Sequence, residues 1–206
     1  DMPKQLYDGK IKKLREKTQG QLIVKEYPTA SAHSGHFKSL INELALKKSF
    51  RPDVIFIDYL NICASSRFKG GNISSYFYIK AIAEELRGLA VEQNVPIFSA
   101  TQTTRTGFVS TDIGLEDTSE SFGLPATADF MFALMSNEEL EQLGQMKVKQ
   151  LKNRYNDPSV NRAFIIGVDR AKMRLYDVQQ SSQNIVDSGQ VEEKEDAYNK
   201  FSDFKL

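Results

Sequence analysis

Three segments of this sequence carry polar side chains that could handle a phosphate group, or the magnesium ion that accompanies it. Asp58 closes the apolar run Val54–Ile57. Gln102 follows the apolar stretch "VPIFSAT", and Lys152 and Arg154 lie in "KQLKNRY". An ionised carboxylate beside apolar residues is costly unless it is paired, hydrogen-bonded or close to a metal. One answer is that Asp58 holds magnesium through the ion's water shell, because ligands of open α/β sheets bind at the carboxyl ends of strands.

Each of these residues also has an ordinary structural interpretation. From spacing alone, Asp58 could cap the following turn or pair with a lysine, and Gln102 could cap its strand. Lys152 and Arg154 share one face if their segment is a strand, because side chains alternate with a period of two residues. A solvated basic edge is the structural interpretation of such a pair. The residues alone leave these alternatives open.

The elements that must position these residues follow from hydrophobic periodicity. Helices are predicted over Pro3–Lys17, within "SAHSGHFKSLINELALKKSF" and from about Ser75 to Gln93, where Glu84 is expected to pair with both Lys80 and Arg87. A turn of helix is predicted at "EELEQLG". Strands are predicted at "QLIVKEYP", "VIFID", "VPIFSATQ", "TADFMFALM", "QMKVKQLKN", "RAFIIGVD" and "KMRLYDVQ". This order predicts an α/β fold with a mostly parallel central sheet and antiparallel edge strands.

The composition agrees with a folded domain. The 206 residues are 40% hydrophobic and 26% charged, and Lys plus Arg equals Asp plus Glu at 27 each. Neutrality gives no sign of nucleic-acid binding, although one loop can be basic in a neutral protein. The only cysteine, Cys63, cannot form an internal disulfide, and no apolar stretch approaches membrane-spanning length. We therefore expect a cytoplasmic protein with one domain over residues 1–179 and a polar acidic tail over residues 180–206, either disordered or docking a partner.

Taken in order, the motifs resemble the RecA-like motor domain of DnaB-type hexameric replicative DNA helicases. The order is an apolar strand ending in Asp58, a loop, a helix, a strand ending in "TQ", a further loop, and a strand with "KNR". The segments "KAIAEELRGLAVEQNVPIFSATQ", "SESFGLPATADFM" and "KQLKNRY" are most similar to the replicative helicases of T-even-like bacteriophages. The resemblance runs from Pro3 to Gln179 and is concentrated between Val54 and Arg154.

The resemblance implies a role for each of these polar residues. Asp58 matches the Walker B carboxylate, which polarises a water bound to Mg²⁺ beside the β- and γ-phosphates of ATP. Gln102 matches a residue that senses the γ-phosphate, since an amide both donates and accepts hydrogen bonds. Lys152 and Arg154 match cations that reach into the neighbouring subunit's site, lysine as a point charge and arginine as a bidentate fork. The implied cofactors are ATP and Mg²⁺.

The loops that follow Asp58 and Gln102 are the candidate DNA contacts. "SSRFKGGN" carries Arg67 and Lys69, and "TTRTGF" carries Arg105. Hydroxyls, backbone amides and guanidinium groups on loops suit contact with the phosphates of single-stranded DNA, without reading of the bases.

The sequence contains no phosphate loop of the form Gly-x-x-x-x-Gly-Lys-Ser/Thr. The resemblance implies that this loop lies N-terminal to Asp1, so we expect the later part of a helicase motor, inactive by itself. The implied parent is a homohexamer around single-stranded DNA that works with a primase and a helicase loader. The alternative is a non-catalytic RecA-like accessory protein of recombination or helicase loading.

Overall fold

The computed structural model describes residues 2–68, 73–103, 114–115, 123–157 and 162–178. Three longer helices come first along the chain, and two helices of five residues follow. The helices are α1 (Lys4–Lys17), α2 (Ser34–Lys48), α3 (Ser75–Gln93), α4 (Gly123–Thr127) and α5 (Glu138–Gln142). The strands are β1 (Ile55–Ile57), β2 (Ile97–Ser99), β3 (Phe130–Met135), β4 (Gln145–Asn153), β5 (Ala163–Asp169) and β6 (Arg174–Asp177).

The strands in these ranges form two sheets. β1 and β2 pair in parallel, and β3 to β6 form an antiparallel sheet in chain order. The α/β fold with parallel and antiparallel strands is confirmed, but the antiparallel strands make a sheet of their own and the described parallel part is one pair. Connection length explains the difference: α3 provides the long crossover that a parallel pair needs, whereas β3 to β6 follow one another closely.

The main core lies between α3 and the 3₁₀ turn that follows β1. One face of α3 carries apolar residues at spacings of three and four, the pattern of a helix buried on one side. Ile82 is its most buried residue, with 1% of its surface exposed. The cluster consists of Leu60, Cys63, Ile79, Ile82, Ala83, Leu86 and Leu124. Cys63, the only cysteine, belongs to this cluster, and burial raises the pKa of its thiol.

The ends of the longer helices are defined by local hydrogen bonds and backbone geometry. His33 precedes α2, and its Nδ1 accepts a hydrogen bond from the Gly35 N–H at 3.0 Å, while its own N–H donates to His36 Nδ1 at 3.2 Å. These bonds satisfy N–H groups that a helix start leaves without partners. After α3, Asn94 adopts a left-handed conformation with φ 54°, which ends the helix before β2.

Two local predictions differ from the structure. The segment "QLIVKEYP" was predicted as a strand and forms none, and Leu22 and Val24 are 85% and 83% exposed. A short apolar run such as this one does not make a strand without a neighbour to receive its backbone hydrogen bonds. Helix α4 was not predicted, because five residues carry no readable period and Pro125 reads as a helix breaker, although proline is tolerated in a first turn.

The predicted tail, residues 180–206, lies outside the described residues. Among the helices that are described, none combines the length and the apolar character needed to cross a membrane.

The core position of Ile82 generates a stability prediction. We expect Ile82→Ala to lower the free energy of unfolding by about 2–5 kcal/mol, because it removes buried methyl groups and leaves a cavity against Leu60 and Leu86. Urea unfolding followed by circular dichroism measures this loss.

The matched control is Val91→Ala on the same helix, where the valine is 73% exposed. This change is expected to stay within about 0.5 kcal/mol of the unmodified chain. Equal losses for the two variants would contradict the assignment of the α3 core face.

Candidate functional site

The parallel pairing of β1 and β2 brings two of the predicted site residues to one edge of the sheet. Ile57 is opposite Ser99, and Ser99 Oγ donates a hydrogen bond to the Ile57 carbonyl at 2.9 Å. Asp58 and Gln102 therefore follow strands that end side by side. The Gln102 amide Nε2 donates to the Tyr59 hydroxyl at 3.2 Å, which ties the two strand ends together through their side chains.

A second pair of bonds holds the turn after β1 against the end of β2. Thr101 Oγ1 donates to Asn61 Oδ1 at 2.8 Å, and the Leu60 N–H donates to the Ala100 carbonyl at 3.1 Å. Sequence reasoning identified Thr101 as a polar strand end but missed Asn61 and Tyr59. Their signal was present in "DYLNI", where polar side chains follow the carboxylate within a few residues.

Asp58 is exposed, which answers the concern about burying its charge. Within the described residues, no hydrogen bond or ion pair engages its carboxylate. Such a carboxylate fits contact with Mg²⁺ through the ion's bound water. The described residues contain no group of three or more His, Cys, Asp or Glu side chains that could cage a metal. With this one carboxylate, most ligands of a magnesium ion would have to come from water and from the phosphates of a bound nucleotide.

The other two predicted catalytic residues meet at a different place, the carboxyl end of α4. Lys152, on β4, donates from Nζ to the Pro125 carbonyl. Arg154, just after β4, donates from Nη2 to the Ala126 carbonyl at 2.8 Å and from Nη1 to Asp129 Oδ1 at 3.0 Å. The two side chains thus converge, as alternation along a strand predicts.

A third cation, Arg87 from α3, joins them and was missed by sequence reasoning. Its Nη1 donates to the Thr127 carbonyl at 2.7 Å and to Asp129 Oδ1 at 2.7 Å. The expected pair of Arg87 with Glu84 is wrong, because Glu84 instead receives Arg67 Nη1 at 2.7 Å. No local sequence signal identifies Asp129 as the partner, since 42 residues separate it from Arg87.

We call Arg87, Lys152, Arg154 and Asp129 the cation cluster. Its three cations each contact one of three successive carbonyls at the end of α4. Those carbonyls are the unsatisfied acceptors of a helix terminus and carry partial negative charge. Burial lowers the pKa of Lys152, Arg154 lowers it further, and Asp129 opposes the shift. The two arginine side chains remain 40% and 44% exposed, so an external anion can reach them.

The loop that follows the β1 turn is anchored by Glu85 of α3. Its Oε1 accepts a hydrogen bond from Ser65 Oγ at 2.6 Å, and its Oε2 accepts one from the Ser66 N–H at 2.8 Å. The Arg67 N–H also reaches Oε1 at 3.3 Å. The Glu85 side chain is only 6% exposed. Burial alone would raise the pKa of this carboxyl, but the hydrogen bonds from Ser65, Ser66 and Arg67 outweigh it and the pKa is lowered.

The predicted DNA-binding residues are described in part. Arg67 is half-exposed in its ion pair with Glu84, close to the point where the described loop ends at residue 68. Lys69 and Arg105 lie outside the described residues, so their DNA contacts stay predictions.

Sequence reasoning also missed Glu85. An acidic residue next to the apolar face of a helix is a signal for a hydrogen-bond or ion-pair partner, because burying an unpaired charge is costly.

No protein-family profile matches the chain. The chain is 46% identical over 177 residues to the DnaB-like replicative helicase of Enterobacteria phage T4. This similarity covers 85% of the chain and 37% of that helicase, so the chain spans a little more than a third of the relative's length.

Two solved structures share the fold. The first is an ATPase domain, which matches with a TM-score of 0.60 and 18% identity, over 72% of this chain and 52% of that chain. A structure of a DnaB-like replicative helicase and its interactions with primase matches with the same TM-score and identity, over 72% of this chain and 36% of that chain. At this identity the likeness establishes the fold, which is that of the RecA-like helicase ATPase domains.

The buried Glu85 carboxylate generates a prediction about stability and pH. We expect Glu85→Gln to lower the free energy of unfolding at pH 7 by about 1–3 kcal/mol, because a charged acceptor of several hydrogen bonds becomes neutral. The folded-state pKa of Glu85 lies below its ordinary value of 4.5, so its stabilisation is present above that pH and is lost as the pH falls through the folded value. Urea unfolding at a series of pH values should therefore show the difference between the two proteins shrinking below pH 4.5.

Glu84→Gln is the neighbouring control, with a side chain that is 37% exposed. Its loss at neutral pH is expected to stay below about 1 kcal/mol. A Glu85→Gln protein as stable as the unmodified chain, or a difference that does not change with pH, would refute the anchoring role.

Proposed function

Since the chain is a homologue of the DnaB-like replicative helicases over 85% of its length, we propose that it forms part of the ATP-driven motor of a helicase that translocates on single-stranded DNA and unwinds duplex at a replication fork. The observation that carries the proposal is the pairing of two strand ends. Asp58 and Gln102 follow neighbouring parallel strands, the arrangement at which RecA-like sheets bind phosphates.

In this proposal Asp58 and Gln102 face the phosphates of ATP. Asp58 presents an exposed carboxylate to the water shell of Mg²⁺. Bound magnesium neutralises charge on the phosphates. Gln102 holds the Tyr59 hydroxyl, and its amide can exchange that partner for a phosphate oxygen. Because Gln102 precedes the segment that carries Arg105, such an exchange passes the state of the nucleotide to a candidate DNA loop.

Lys152 and Arg154 act on the nucleotide of a neighbouring subunit. Among the described residues, no hydrogen bond or ion pair joins either one to Asp58 or Gln102. This separation supports action between subunits. Their attachment to a helix end orients both cations before a phosphate arrives, which lowers the entropic cost of reaching the transition state.

The parent assembly in this proposal is a homohexamer in the bacterial cytoplasm, with single-stranded DNA in its channel and a primase and a helicase loader as partners. Arg67 supplies positive charge near the DNA phosphates, together with Lys69 and Arg105. Glu85 holds the backbone of the Arg67 loop, so this charge is presented from an anchored position.

The test is to express the chain with its upstream coding sequence and measure ATP hydrolysis with and without single-stranded DNA. We expect DNA-stimulated hydrolysis that Asp58→Asn and Arg154→Ala each lower by about 100-fold or more, because each change removes charge stabilisation of the transferred phosphoryl group. Arg170→Ala is the matched control, since this arginine is 73% exposed and pairs only with Glu141 in the described residues. The 206-residue chain alone is expected to hydrolyse no ATP.

Mixing the two inactive variants tests whether Arg154 acts between subunits. A hexamer with both variants contains interfaces where an intact Asp58 faces an intact Arg154, so partial hydrolysis should return. No return of activity would contradict action in trans. If the extended protein hydrolyses no ATP, or either single variant keeps full activity, the motor proposal is overturned in favour of a non-catalytic accessory protein.

Arg67 generates a separate prediction for the extended protein. We expect Arg67→Ala to weaken binding of a fluorescent oligo-dT and to reduce the slope of log affinity against log salt by about 0.7, the contribution of one phosphate contact on single-stranded DNA. Glu84→Gln should strengthen binding, because it releases Arg67 from its ion pair. Fluorescence anisotropy at several salt concentrations measures both effects.

The control is Lys47→Ala, a lysine that is 71% exposed and pairs with Glu43 on α2. It is expected to leave the salt dependence unchanged. An Arg67→Ala protein with unaltered affinity and slope would remove this loop from the DNA interface.

A further inference from the structure

Asp129 joins two arginines that come from different parts of the fold. Its Oδ1 accepts a hydrogen bond from Arg87 of α3 at 2.7 Å and another from Arg154, after β4, at 3.0 Å. Both bonds end on the same oxygen, and no donor within the described ranges reaches Oδ2. One carboxylate oxygen thus serves two guanidinium groups, neither of which has the bidentate pairing that arginine and carboxylate can form.

The cation cluster has more positive than negative charge. Arg87, Lys152 and Arg154 face a single carboxylate, and their remaining partners are neutral carbonyls. An arginine side chain has five N–H donors, and the hydrogen bonds of Arg87 among the described residues start from Nη1 alone. Its other nitrogens can therefore donate to a further anion. The cluster can therefore accept an anion with more charge and more oxygens than Asp129 offers.

An open cavity provides access to the cluster. Arg87 and Asp129 line a cavity of about 270 Å³ together with Asn94 and the end of α3. Of the cation cluster, Arg87 and Asp129 line this cavity, and the rest of its lining includes the apolar residues Val91 and Pro96. A phosphate group that enters this cavity meets the two residues that already form an ion pair.

We propose that Asp129 is an internal counter-ion that competes with an external phosphate group for Arg154 and Arg87, and that Arg87 is a third anion-binding residue beside Lys152 and Arg154. This inference rests on the proposed function only in assigning Arg154 to a phosphate. A phosphate group offers several oxygens, and the terminal phosphate of a nucleotide carries more than one negative charge, so it can take both arginine forks where Asp129 gives a single oxygen. While Asp129 holds the arginines, they are oriented but partly neutralised.

Anion binding by the 206-residue chain tests the competition, with inorganic tripolyphosphate as the probe in isothermal titration calorimetry. Asp129→Asn keeps the shape and an acceptor oxygen but removes the charge, so binding should tighten about tenfold, the value of one charge-assisted hydrogen bond released to the ligand. If Asp129 only orients the arginines, Asp129→Asn should instead weaken tripolyphosphate binding, because the arginines are then free to move. Weaker or unchanged affinity in a folded Asp129→Asn protein overturns the proposal.

The matched control is Asp169→Asn, since Asp169 also pairs with a cation, Lys172 at 3.2 Å. It should leave the tripolyphosphate affinity unchanged. Arg87→Gln keeps the proposal testable if Asp129→Asn does not fold. We expect the affinity of Arg87→Gln for tripolyphosphate to fall about tenfold. Unchanged affinity overturns the role of Arg87.

Two sources of phosphate are separated by repeating the titrations with oligo-dT. If Asp129→Asn tightens the binding of tripolyphosphate but not that of oligo-dT, the result supports a nucleotide as the natural anion. Tightening for oligo-dT alone supports the counter-ion and assigns the phosphate to DNA, which overturns the nucleotide role of Arg154. Neither titration requires hydrolysis, so failure of the motor proposal and failure of this inference give different results.

Discussion

The burial of one face of α3 is the constraint on which the rest of the structure depends. This helix is the crossover between β1 and β2, so its packing decides where both strand ends lie. Ile82 fixes the helix against the turn after β1, and Leu86 extends the same contact. The polar strand ends can be exposed and still held in place, because the apolar face of α3 is buried.

Glu85 and Arg87 extend that constraint to two regions with different chemistry. Two residues correspond to about 200° around a helix, so the side chains leave α3 on nearly opposite sides. Glu85 receives the loop that follows β1, and Arg87 reaches the end of α4 and Asp129. A shift or rotation of α3 would therefore displace a candidate DNA loop and the cation cluster together. Helix α3 is the physical connection between the two groups.

Periodicity predicted most of the elements, because each of them buries one face. Helix α3 was predicted with its observed bounds, and the later strands were predicted in the right order. Strand ends pointed to Asp58, Gln102, Lys152 and Arg154, but the partners that orient Lys152 and Arg154 could not be predicted. Ion pairs such as Arg87 with Asp129 join residues far apart in sequence, and local rules instead favoured the i,i+3 pair with Glu84. The strand predicted around Leu22 does not form, because this exposed segment has no partner strand among the described residues.

The two kinds of partner in the cation cluster have different electrostatic consequences. Backbone carbonyls at the end of α4 orient the cations but carry only partial charge, so they leave most of the positive potential available. Asp129 orients two arginines equally well but cancels a full unit of charge. If orientation alone were needed, further carbonyls or an asparagine would provide it without that loss. A carboxylate at this position is useful when the positive potential must be restrained until a stronger anion arrives, and its half-exposed setting keeps the exchange from being too costly.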